Sequence, residues 1–196
     1  MVMRLPFVHS VLLAAILAAA VACTDSRPAF KATDISGVDW GGEFELTAHT
    51  GQRVKLSDYR GRLTVLFFGY THCPDICAPT LALLARALDG LGADAGRVQV
   101  LFVSVDPGHD TPAQLAGFIP TFHPSFVGLT GGEAEVRAVA ADYKIGYQAS
   151  PGAGGIDHSG GVYVKDARGR LRLLVRQGAP VDDIVHDLRL LLKETP

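Results

Sequence analysis

The sequence predicts an α/β fold, a central mixed β-sheet flanked by helices with a β-hairpin at its N-terminal end. Three observations carry this. Two continuous apolar runs, "LTVLFFGY" (63–70) and "RVQVLFVSV" (97–105), have the composition of strands buried on both faces. Each is followed by a segment whose apolar residues recur at helical spacing. A further hairpin pattern and an amphipathic segment then close the chain.

Taken in order, "EFELTAHTGQRVKL" (43–56) alternates apolar and polar residues on both sides of "HTGQ", the pattern of a hairpin. The first buried strand ends at a pair of cysteines. Beyond them Leu81, Leu84, Leu88 and Leu91 lie on one helical face. After the second strand, "TPAQLAGF" offers Thr111 as N-cap, Pro112 at the first helical position and Gln114 at the capping-box position. "EAEVRAVAADY" (133–143) reads as a third helix. "GGVYVKD" and "RLRLLVRQG" form a hairpin around "ARGR", and "VDDIVHDLRLLLKE" (181–194) is a final helix. Its acids stand in the first turn and Lys193 in the last, as the helix dipole prefers. Strand, helix, strand, helix, hairpin, helix is the thioredoxin order, so a thioredoxin-like fold is expected.

The N-terminus sets the compartment. One positive charge within residues 1–4 is followed by the apolar run "VLLAAILAAAV" (11–21), then Ala22 and Cys23. This is the anatomy of a secretory signal. The run is shorter than the roughly 20 residues of a spanning helix, which leaves an uncleaved anchor as the alternative. "AVAC" resembles a lipoprotein box, so residues 1–22 are expected to be a signal peptide and Cys23 the lipidated residue. Residues 23–40 read as a tether and residues 41–196 as the folded domain. The expected location is exported and membrane-anchored on the periplasmic side, with the inner membrane favoured. A formal net charge of −2 and no basic run argue against a nucleic-acid partner. A monomer is the default.

The chain has three cysteines. With Cys23 assigned to lipid, Cys73 and Cys77 remain as an isolated pair in an oxidising compartment. A structural disulfide, a redox dithiol and a metal site all fit "THCPDICAP". A helix starting near Pro74 would put Cys73 at its N-terminus, where the dipole favours a thiolate, and Cys77 one turn on. Pro79 would then kink or restart that helix. Three intervening residues leave room for a metal between the sulfurs. Thiolates are soft ligands that select Cu(I), zinc or iron–sulfur clusters. Clusters generally need four Cys, and closed zinc sites need four Cys or His. Copper accepts three ligands, so one histidine would complete a site. His158 is the candidate, in a glycine-rich loop entering the strand that faces the dithiol in a thioredoxin fold. His72, His109 and His123 are loop residues with weaker claims. His9, His49 and His186 are further from consideration.

Together "GYTHCPDIC" (69–77), "SVDPGHDTP" (104–112) and "DHSGGVYVKDARG" (157–169) resemble the Sco/SenC family of membrane-anchored copper proteins. The resemblance covers residues 44–192. It implies one copper per chain, Cu(I) or Cu(II), held by Cys73, Cys77 and His158. It further implies assembly of the binuclear copper site of cytochrome c oxidase subunit II, with another periplasmic copper carrier as donor. Family members deliver copper, reduce that subunit's cysteines, or both. A thiol–disulfide reductase attacking through Cys73 and resolving with Cys77 is therefore the alternative. A thiol peroxidase is disfavoured, because its attacking-cysteine motif is absent. Asp106 and Asp75 are expected behind the ligands, orienting His158 or tuning charge. The chain departs from the family in having Ala78 where Pro is usual. Gly108-His109 replaces a charged pair, and the histidine loop is unusually rich in glycine, 152–155.

Overall fold

The computed structural model describes residues 29–149, 156–158 and 161–194. The strands are β1 (Thr33–Asp34), β2 (Glu45–Ala48), β3 (Arg53–Lys55), β4 (Leu63–Gly69), β5 (Val98–Ser104), β6 (Val127–Thr130), β7 (Tyr147–Ala149), β8 (Ile156–His158), β9 (Val162–Lys165) and β10 (Leu171–Val175). The helices are α1 (Cys77–Leu91), α2 (Pro112–Phe118), α3 (Glu133–Asp142) and α4 (Val181–Lys193). Eight strands form one mixed sheet in the order β1-β10-β9-β4-β5-β6-β2-β3, and β7 pairs with β8 alone. The expected α/β, thioredoxin-like architecture is the one observed.

The centre of the sheet follows from the two apolar runs. β4 and β5 pair in parallel from Leu63↔Val98 to Gly69↔Ser104, joined through α1. Successive side chains on a strand point to opposite faces. Val65, Phe67, Val100 and Phe102 therefore pack with Leu81, Leu84 and Leu88 of α1 and Ile184 and Leu188 of α4. Leu66, Phe68, Leu101 and Val103 pack on the other face with Val136 and Val139 of α3, Tyr143 and Tyr163. Both faces are covered, which is why these strands are mainly apolar, with Thr64, Gln99 and Ser104 near their ends. Among the described residues no helix is long and apolar enough to cross a membrane.

Two expectations about α1 change. The helix begins at Cys77, with Ile76 as its N-cap residue, and not near Pro74. It runs unbroken through Pro79 to Leu91. Pro79 is the third helical residue, where a backbone N–H has no intrahelical acceptor, so the missing donor costs nothing. At α2 the Thr111 side chain accepts from the Gln114 N–H at 3.2 Å, as the capping pattern predicts.

The segment ahead of residue 41 lies along the domain. The Asp187 carboxylate, 1% exposed, accepts from the N–H groups of Lys31 (2.9 Å) and Ala32 (2.7 Å). This delivers Thr33 and Asp34 to the edge of β10, opposite Leu174 and Leu173. Trp40 meets Tyr163 edge-on at 5.9 Å.

Candidate functional site

The cysteines sit where β4 leaves the sheet. Gly69 is the last residue of β4, and the Cys73 N–H donates to the Tyr70 carbonyl at 3.3 Å, closing a turn. Cys73 is partly exposed in this turn, and Cys77 is buried at the first position of α1. Cys73 therefore stands before the helix, not at its N-terminus as the sequence suggested, yet the turn still brings the two thiols within hydrogen-bonding reach of each other. Gly69 makes room for them. A Cβ there would lie 2.8 Å from Cys77 Sγ and 2.9 Å from the Phe102 ring.

The two thiols are electrostatically unlike. For Cys73, burial opposes ionisation and is the largest single influence. The backbone N–H of Ile76, the Cys77 thiol and the backbone N–H groups of Asp75 and Cys77 together outweigh it, and the thiol is held below its ordinary range. For Cys77, burial dominates. It pushes the thiol well above the ordinary range, and Cys73 and Asp110 add to the effect against a backbone hydrogen bond from Tyr70. Cys73 is thus the more acidic thiol of the pair and Cys77 the less acidic.

Asp110 ties the cysteine turn to the loop after β5, and reading the sequence did not single it out. Its carboxylate is fully buried. It accepts from the Thr71 N–H (2.9 Å), the Thr71 hydroxyl (2.6 Å) and the Ser104 hydroxyl (2.7 Å), and meets His109 Nδ1 at 2.9 Å. The available signal was its position inside "DPGHDTP", immediately before an N-cap threonine. Nothing local distinguishes it from a turn aspartate.

Asp106 and Asp75 differ in what they offer. Asp106 Oδ2 lies 3.6 Å from His72 Nε2, and its backbone N–H donates to Ser104 Oγ. Asp75 is exposed, and its backbone N–H rather than its carboxylate serves Cys73. His158 ends β8, its backbone opposite Tyr147. Four residues later Val162 begins β9, antiparallel to β4 and opposite Phe67. β9 thus begins, four residues after His158, beside the end from which β4 leads to Cys73. The His158 side chain, the glycine-rich loop and Cys23 lie outside the described residues.

The SCO1/SenC family model matches residues 32–193. The chain belongs to the SCO1/SenC family. It is 43% identical over 108 residues to the mitochondrial SCO1 homolog 1 of Arabidopsis thaliana, covering 55% of this chain and 32% of that one. A SCO2-like protein of Rickettsia felis is 33% identical over 135 residues, 66% of each chain. The chain spans between 32% and 66% of the length of such curated relatives.

Solved family structures agree with the fold. ScoI of Bradyrhizobium japonicum, with copper bound, superposes with a TM-score of 0.72 at 34% identity, over 78% of this chain and 99% of that one. Apo Sco1 from Thermus thermophilus gives 0.74 at 38% identity, over 83% and 96%. Arabidopsis thaliana ScoI, also with copper bound, gives 0.74 at 34%, over 79% and 98%.

Proposed function

We propose that this chain binds one copper through Cys73, Cys77 and His158, and serves maturation of the binuclear copper site of cytochrome c oxidase. The observation that carries the reading is the donor set. Two thiols in contact offer the soft ligands that copper takes in preference to carboxylate sites. Copper-bound relatives with the same fold support it. Cys73 is the ligand that ionises more readily. Cys77 gives up its proton as metal loads, so binding releases protons. Asp110 holds the turn in place, and Gly69 leaves space beside Cys77.

In this reading residues 1–22 export the chain and Cys23 takes lipid. That holds the domain at the periplasmic face of the inner membrane, near oxidase subunit II. A second periplasmic carrier supplies the copper, and the domain works as a monomer. The test is a Cu(I) competition titration of the reduced chain, wild type beside His158→Ala. Equal occupancy of one copper is expected in the wild type, with affinity in the variant lower by at least about tenfold. Unchanged affinity would rule out the three-ligand site.

The split between the thiols favours one further role at the same turn. A Cys73 thiolate can attack a partner disulfide, forming a mixed disulfide and releasing one partner thiolate. Cys77, on losing its proton, attacks Cys73 Sγ and frees the second partner sulfur. The chain's dithiol is oxidised by two electrons and the partner's disulfide is reduced by two. A Cys77→Ser chain should accumulate the mixed disulfide with an oxidised subunit II fragment, visible on a non-reducing gel. No trapped species would leave metal binding as the sole role.

A further inference from the structure

Beside the cysteine turn, on its exposed side, two loops bring together His72, Asp106 and His109. One ring nitrogen from each histidine and one Asp106 oxygen lie within 4.8 Å of one another. The imidazole rings are 4.3 Å apart, centre to centre, and His72 Nε2 is 3.6 Å from Asp106 Oδ2. That last distance is too long for a hydrogen bond. It falls within the spacing of two ligands on one tetrahedral ion, about 3.3–3.6 Å for bonds of 2.0–2.2 Å.

The cluster is buttressed from below. His109 Nδ1 is engaged by buried Asp110, which leaves the Nε2 lone pair as the ligating one. Metal-binding histidines commonly use their second nitrogen in this way, on a carboxylate that fixes tautomer and ring orientation. The same Asp110 grips Thr71, next to His72, so one buried carboxylate sets both histidines against each other. The turn carrying Asp106 is closed by the N–H groups of His109 and Asp110, which donate to the Asp106 carbonyl at 3.2 and 2.8 Å.

We propose that His72, Asp106 and His109 form a second metal site, separate from the thiols, for a divalent first-row ion of the Cu(II) or Zn(II) class. Two imidazoles and a carboxylate are borderline-to-hard donors that suit such ions and not Cu(I). With about half of the His109 side chain exposed, water completes the coordination.

The experiment removes the thiols first. The full chain carrying Cys73→Ser and Cys77→Ser, purified in detergent, is titrated with Zn(II) by calorimetry and with Cu(II) by electron paramagnetic resonance. One ion per chain is expected, with nitrogen hyperfine structure from two imidazoles in the Cu(II) spectrum. Adding His72→Asn or His109→Asn should weaken binding by at least about tenfold, and both side chains are exposed enough for the fold to survive. Absence of binding in the serine chain, or binding indifferent to both histidines, would overturn the proposal. A separate arm keeps both cysteines and measures Cu(I). There the histidine substitutions should leave affinity unchanged, and a matching loss would merge the cluster with the thiolate site. Failure of Cu(I) binding in the unsubstituted chain would bear on the copper reading alone.

Discussion

Cys73 and Cys77 share a turn but differ in exposure and surroundings, and that difference is measurable. Backbone N–H groups hold the Cys73 thiol below the range of a free cysteine, while burial holds Cys77 above it. As pH rises, Cys73 should therefore ionise first, and its alkylation by iodoacetamide should reach half-maximal rate below the pH at which a free cysteine does. Cys77 should stay unmodified over the same range, at least about tenfold slower. Peptide mass spectrometry at a series of pH values reads both, and equal rates would contradict the assignment. The pair itself was legible, because a C-x-x-x-C after a buried strand is a local pattern. Asp110 was not, because its importance comes from burial beneath Thr71, 39 positions away, and from the hydroxyl of Ser104. The start of α1 was misplaced for a related reason. Pro74 is a favourable first helical residue, but Pro79 is tolerated only when the helix begins close before it.

Strands and helices with strong periodicity were readable directly. Leu63–Gly69 and Val98–Ser104 match their apolar runs almost residue for residue. The two-residue β1 was not, since Thr33 and Asp34 have no pattern of their own. They pair with β10 because α4 supplies a carboxylate that captures the chain just before them. Asp187→Ala should leave the Lys31 and Ala32 N–H groups without their acceptor, at a cost of about 1–3 kcal/mol. Hydrogen exchange at residues 31–35 should rise sharply, while the amides of β4 and β5 stay protected. Unchanged exchange at 31–35 would show that β1 is held by its ladder alone. Strand β6, Val127–Thr130, and the hairpin β7–β8 are further elements that periodicity missed. The short strands of that hairpin are three residues each and pair only with one another.

The fold directs distant motifs to one end of the sheet. Parallel pairing of β4 and β5 places the cysteine turn beside the Asp106–Asp110 loop, and antiparallel pairing of β9 with β4 starts β9, four residues after His158, at the same end. Each motif is readable in the sequence, but their convergence is a property of strand order. The paired thiols, with the family match and its copper-bound relatives, are the basis for reading the chain as a copper-binding member of the SCO1/SenC family. The X-ray absorption spectrum of the chain loaded with one equivalent of Cu(I) tests the claim most directly. Two sulfur scatterers and one imidazole nitrogen are expected, with the nitrogen lost in His158→Ala. A spectrum with sulfur alone, or a nitrogen shell that survives the substitution, would contradict it.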